Sequence, residues 1–252
     1  MTWDPVRYEQ FLDHRLRPGI DLMNRIGRFT PSRIVDLGCG TGRLTRLLAG
    51  SHPDSEVVGV DSSPEMLEQA QQPPSAIRWV QASVTEWEPD HEYGLIFSNA
   101  ALHWLDDHPA LFARLGSWVP AGGVLAVQMP DNWNQPTHTI PSAMVEGPEF
   151  RDVSALLARN RVAPPARYRE WLGDGLTVDL WTTTYHQILE GEDPVFDWVS
   201  ATVLAPVLAA LDPSRRDRFA AECVRRYREV YPPEPDGTTI LPFRRLFIVA
   251  RR

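Results

Sequence analysis

The chain has 252 residues, 43% of them hydrophobic and 23% charged, which suits a packed core and excludes a largely disordered chain. Its net charge of −8 argues against a broad basic face for a nucleic-acid backbone. No apolar run approaches the ~20 residues of a membrane helix, the start is polar, and two cysteines, Cys39 and Cys223, suggest neither a disulfide framework nor a metal site, so a reduced cytoplasmic setting is expected.

Residues 6–26 read as two helical pieces broken near Pro18 and Gly19. "RIVDLG" is a short buried strand, and "RLTRLLAG" behind it repeats leucine at helical spacing. "EVVGVDSS" gives a second strand, followed by a helix with Ser63 as N-cap and Pro64 in its first turn. "IRWVQAS", "YGLIFSNA" and "GGVLAVQMP" continue the alternation as third, fourth and fifth strands, with a helix around residues 107–119. Strands apolar on both faces and alternating with helices imply a doubly wound, mostly parallel sheet covered on both sides.

After Pro130 the alternation stops. A proline-interrupted block leads to the long strand "LTVDLWTTTYHQIL", then two helical stretches, "FDWVSATVLAPVLAAL" and "RRDRFAAECVRRYREVY", and a last strand, "RRLFIVARR". The arginines of the second stretch are interleaved with acids, the pattern of a solvated helix face rather than a nucleic-acid surface. The expected organisation is a helical lid segment over residues 1–30, a ligand-binding core over 31–130, and the remaining strands over 131–252 with a helical substrate cap inserted around 135–175 and 190–238.

The chemistry concentrates in "IVDLGCGTGRLT", residues 34–45. In a doubly wound sheet, ligands bind beyond the strand ends at the point where strand order reverses. Gly38, Gly40 and Gly42 free the backbone there. The dinucleotide pattern G-x-G-x-x-G would need a glycine at 43, where the chain has Arg43, so a ligand without a pyrophosphate is indicated. Asp61 closes the second strand at the position from which a carboxylate accepts both hydroxyls of a ribose. Asp36 suits positive charge on the rest of the ligand, and S-adenosylmethionine meets both demands.

"DLGCGTG", the acid of "GVDSS" and a strand ending "FSNA" resemble the class I S-adenosylmethionine-dependent methyltransferases. With "GVDSSPEML", "LIFSNAALHWL", "GVLAVQMPDNW", "WTTTYHQI" and "RLFIVARR", spread over most of the chain, the resemblance narrows to the trans-aconitate 2-methyltransferase family. It implies a Rossmann-like seven-stranded sheet with a helical cap. It also implies a carboxyl O-methyltransferase that forms the monomethyl ester of trans-aconitate and releases S-adenosylhomocysteine. The partner is then a small anionic carboxylate, with no nucleic acid, membrane or obligate protein partner.

Carried over by position, Asp36, Gly38, Gly40 and Gly42 surround the methionine part, Asp61 holds the ribose, Ser62 and Met66 flank the adenine, and Asn99, Ala100 and Leu102 lie beside the sulfonium. Ser83 stands where the family commonly has an acid reading the adenine amino group. For the acceptor, the candidates are Tyr8, Arg15, Trp133, His138, Tyr185, His186, Arg244 and Arg245. No general base is called for, because a carboxylate acceptor, with a pKa near ~4, is already ionised at neutral pH. Alternative readings are a methyltransferase for another small dicarboxylate or carrier-bound acyl group, and a non-catalytic S-adenosylmethionine-binding protein.

Overall fold

The computed structural model describes residues 12–157 and 162–252, the side chains of 12–15 excepted. Helix α1 (Leu12–Ile26) opens the described chain. The alternating part then runs β1 (Arg33–Leu37), α2 (Arg43–Ser51), β2 (Glu56–Asp61), α3 (Pro64–Ala70), β3 (Arg78–Gln81), β4 (Leu95–Asn99), α4 (His108–Trp118) and β5 (Val124–Pro130). Beyond it lie α5 (Pro136–Glu146), α6 (Pro165–Leu172), β6 (Thr177–Leu189), α7 (Pro194–Ser200), α8 (Ala205–Ala210), α9 (Pro213–Val230) and β7 (Thr239–Arg251).

Seven strands form one sheet in the order β3-β2-β1-β4-β5-β7-β6. β1 pairs in parallel with β2 and β4, β2 with β3, and β4 with β5, while β7 joins β5 antiparallel. The strand order reverses between β1 and β4, so the loops leaving those two strands flank the switch point. The central strands read apolar on both faces because both are covered: Ile34, Val35, Leu37, Val58, Val60, Leu95 and Phe97 are all buried.

Two compact units divide the chain. One comprises Arg15–Pro130, Val162–Thr183 and Arg245–Arg252 and carries the parallel strands. In it α6 packs on α4, with Tyr168 buried edge-on to Phe112 at 4.6 Å. Residues 165–172, read from sequence as part of the cap, thus belong to the strand-bearing unit. The other unit includes Asp131–Arg161 and Thr184–Arg244 and has a core of its own, in which Phe150, Phe219, Trp198, Leu204 and Cys223 are buried together.

Two helix expectations are corrected. α1 is continuous through Pro18. A proline removes a helix hydrogen bond, but packing keeps the helix whole: Leu22 and Ile26 are buried, and Gly19 sits so close to Leu44 that a Cβ would fall 2.4 Å from Leu44 Cδ1. Conversely, the stretch 196–211 is two short helices, α7 and α8, with a turn between them and Pro206 restarting the second. On α9 five arginines are paired, Arg215 with Asp152, Arg218 with Glu149, Arg225 with Glu222 and Glu229, Arg226 with Glu222, and Arg228 with Asp193. No described helix is long and apolar enough to cross a membrane.

Candidate active site

The glycine loop between β1 and α2 is shaped by close approaches. A Cβ on Gly38 would lie 2.2 Å from the Cβ of Ala101, and one on Gly42 would lie 2.4 Å from Trp79 Cη2. Those two glycines therefore serve contacts within the chain. Gly40 differs: its φ is +54° and nothing among the described residues lies within 4 Å of where its Cβ would be. It is the glycine of this loop at which a ligand can lie against bare backbone.

Asp61, at the end of β2, reaches into this loop. Its Oδ2 accepts the Gly40 N–H at 2.8 Å and its Oδ1 accepts the Ser63 N–H at 2.9 Å. An ionised carboxylate has about four acceptor positions, so each oxygen keeps one for a further donor. Ser62 is exposed and Met66 half-buried beside it, while Ser63 caps α3 by accepting the Met66 N–H. Ser83 is engaged in its own turn, 2.7 Å from the Thr85 hydroxyl and accepting the Thr85 N–H.

Asp36 lies beneath the loop, 2% exposed, and accepts one hydrogen bond from Thr45 Oγ1 at 2.6 Å. Burial pushes its carboxyl up to about 7, against the lowering effect of Thr45, and the charge on Asp61 adds to the rise. Cys39 is raised too, first by burial and then by the two acids, so it is a neutral thiol at ordinary pH.

Across the switch point, the loop after β4 bends sharply. Ala100 has a φ of +53°, a left-handed conformation that is uncommon for a residue with a side chain. Its N–H donates to Gln128 O on β5 at 2.9 Å. Leu102 is fully buried, and its carbonyl accepts from His108 Nε2 at 3.0 Å. A carbonyl only accepts, so Nε2 carries the proton and Nδ1 receives the Tyr168 hydroxyl at 2.8 Å. Tyr168 Oη in turn accepts the Ala163 N–H at 3.0 Å. Burial lowers the His108 pKa, which keeps the ring neutral within this chain of bonds.

Strand register places further polar groups together. Asn99 on β4 pairs with Gln128 on β5, which pairs with Phe247 on β7; two residues along, Pro130 pairs with Arg245. Directly paired residues, and residues two apart on one strand, project from the same face. Asn99, Gln128, Phe247 and Arg245 therefore share one face, which through the Asp36–Phe97 pair is also the face of Asp36. Arg245 is 4% exposed and Gln128 is fully buried. Among the described residues, neither end of the Gln128 amide has a hydrogen-bond partner, and Asn99 Oδ1 has none. A buried amide left unsatisfied costs about 1–3 kcal/mol.

Of the acceptor candidates, Tyr8 lies outside the described residues, as does the side chain of Arg15. Arg245 belongs to the strand-bearing unit; Trp133, His138, Tyr185, His186 and Arg244 belong to the other. There, Trp133 and His138 meet edge-to-face at 5.0 Å. Tyr185 is buried and His186 exposed, because adjacent strand residues point to opposite faces, so β6 does not bring these two together. Arg244 is exposed and ion-paired with Asp131 at 3.2 Å, and its N–H donates to Asn132 Oδ1. Gln128 escaped the sequence reading, although a glutamine inside the apolar run "VLAVQMP" was a visible signal.

A doubly wound sheet, a glycine loop after β1 and an acid with free acceptor positions at the end of β2 fit a class I S-adenosylmethionine-dependent methyltransferase. A family model described as a methyltransferase domain matches residues 34–123. The trans-aconitate 2-methyltransferase of Methylobacterium nodulans is 41% identical over 99% of this chain and 98% of its own length, and that of Rhodococcus jostii is 41% identical over 99% of each. The chain belongs to the trans-aconitate 2-methyltransferase family. In fold it is also similar to phosphoethanolamine N-methyltransferase 2 of Haemonchus contortus, solved with S-adenosyl-L-methionine, at a TM-score of 0.54 and 17% identity over 94% of this chain and 52% of that one.

Proposed function

We propose that this chain transfers a methyl group from S-adenosylmethionine to a carboxylate of trans-aconitate, giving the monomethyl ester and S-adenosylhomocysteine. The observation that carries the cofactor half is Asp61, fixed by two backbone N–H groups with an acceptor position left on each oxygen. The acceptor half is supported by family membership at full length. The reading implies a cytoplasmic enzyme acting on a free tricarboxylate, without nucleic acid, membrane or obligate protein partner.

The residues fit the cofactor. Asp61 would take the two ribose hydroxyls, Gly40 would let the ligand rest on backbone, and Asn99 Oδ1 would accept from a cofactor donor. Ser62 and Met66 line the adenine side, Ser83 offers it at most the spare capacity of an engaged hydroxyl, and Gly38 and Gly42 shape the loop. Ala100 and Leu102, held by the Gln128 carbonyl and His108, would stand on the sulfonium side. When bound, the cofactor supplies a methyl group on a positively charged sulfur. Asp36 then gives buried negative charge on the same face.

The methyl group that the cofactor would supply would pass to an acceptor carboxylate oxygen as its bond to sulfur breaks, so no side chain of this protein would have to move a proton. Charge cancels as the bond forms, so a dry setting does not oppose the reaction. What the protein supplies is alignment, worth up to ~7–11 kcal/mol in well-oriented systems. Binding the remaining carboxylates requires charged or multiple donors, for which Arg245 is placed in the strand-bearing unit.

The test is transfer of labelled methyl groups to trans-aconitate, cis-aconitate, citrate and isocitrate. A base-labile product with trans-aconitate in preference to the others is expected. Asp61→Ala should weaken S-adenosylhomocysteine by at least ~30-fold, about 2 kcal/mol for two lost hydrogen bonds to a carboxylate. An enzyme that esterifies none of these acids would end the reading.

A further inference from the structure

The side chain of Gln128 plays no part in any role assigned above, yet it is a conspicuous polar group in the sheet. It sits on a central strand, fully buried, with no hydrogen bond among the described residues to either end of its amide. Its backbone is fully used: Gln128 O receives Ala100 N–H, and the residue is in register with Asn99 and Phe247. A folded chain has no internal use for such a group, and an apolar residue of similar size would serve the sheet better.

We propose that Gln128 binds the acceptor: its Nε2 donates to a carboxylate of the acid that is methylated. Three observations bear on what it would bind. Arg245, a permanent cation buried to 4% exposure, projects from the same face two residues along the neighbouring strand. Asn99, directly paired with Gln128, marks the end of β4 beside the switch point, where the proposed cofactor groups also lie. The carbon surface between them is apolar and rigid: Phe247 is stacked on Trp181 at 4.8 Å and 6°. A guanidinium and an amide set against an aromatic floor receive a flat, unsaturated polycarboxylate by both its charge and its plane.

The inference rests on the acceptor being such an acid, and the experiment separates the two claims. Gln128→Met keeps volume and removes the amide. Its unliganded thermal midpoint should equal or exceed that of the parent, since an unsatisfied polar group is gone. S-adenosylhomocysteine should bind within about threefold of the parent, and the KM for trans-aconitate should rise roughly ten- to a hundredfold, the worth of one hydrogen bond to a charged group. Gln128→Glu, which sets an acid against the acceptor, should do more damage than methionine at pH 8 and recover as pH falls. Acceptor binding is also read without turnover, as the rise in midpoint that trans-aconitate produces on the S-adenosylhomocysteine complex. That rise should shrink in both variants.

An unchanged KM and midpoint rise, equal losses for cofactor and acceptor, or a destabilised methionine variant would each overturn the proposal while leaving the reaction intact. If Gln128→Met did not fold, the amide would be structural and the proposal would fall. A parent protein that neither methylates nor binds any polycarboxylate would instead defeat the acceptor assignment, and this inference with it.

Discussion

Asp36 and His108 are both buried titratable groups, and they pull stability in opposite directions with pH. The Asp36 carboxyl is pushed up to about 7 in the fold, above the ~3.9 of a free aspartate. Between those values the folded state holds a proton that the unfolded chain has released, so stability falls as pH rises from about 4 to 7 and stays lost above. Asp36→Asn should therefore stabilise the unliganded protein at pH 8 by about 2–4 kcal/mol, read by denaturant unfolding, and flatten its pH dependence. The same change should weaken S-adenosylmethionine more than the uncharged homocysteine product, by roughly tenfold; equal weakening would remove Asp36 from the charge account. His108 is lowered by burial, so its neutral form is the native one. The unfolded histidine takes up a proton below about 6.5, and stability is lost as pH falls through that value. Tyr168→Phe would orphan both His108 Nδ1 and the Ala163 N–H, costing about 2–4 kcal/mol in thermal or chemical unfolding.

Gly38 and Gly40 look alike in the sequence and differ in the fold. Gly38→Ala drives a methyl group into Ala101 at a left-handed backbone position, and should cost ~3 kcal/mol of stability as well as cofactor affinity. Gly40→Ala meets open space and pays backbone strain alone, ~1–2 kcal/mol, but places its methyl at the proposed ligand surface. Its loss should appear chiefly as weaker S-adenosylhomocysteine binding in calorimetry. The parallel strands and the acid closing β2 were legible because both follow from local pattern: apolar runs between turn signals, and a carboxylate at a strand end. The purpose of each glycine was not, since Ala101 and Trp79 approach from segments far along the chain. Nor was the continuity of α1 through Pro18, which depends on the packing of Leu22, Ile26 and Gly19. Gln128 could be seen but not interpreted, because its meaning is the missing partner.

Taken whole, the protein is acidic, with a net charge of −8, and all 25 of its basic side chains are arginine. A trianionic acid approaching it meets overall repulsion, which salt screens with a range of about 10 Å at 0.1 M. The kcat/KM for trans-aconitate should accordingly rise between 20 and 200 mM salt, roughly two- to fivefold; a fall would show that local arginines set the field the acid encounters. The paired arginines of α9 have no such influence, each being matched by an acid at short range. Fold class and cofactor were thus open to reading from one stretch of chain, whereas the division into two units depended on α6 docking against α4, a tertiary event with no local signature.

The hydrogen bond from Ala100 N–H to Gln128 O has a consequence for how this enzyme could diverge. The main chain at 128 props the bent loop after β4, beside the proposed sulfonium site, while the side chain at the same position is free of that duty. Replacing the amide thus leaves the prop standing. Descendants could trade one acid for another through single substitutions here, without relearning how to hold the methyl donor.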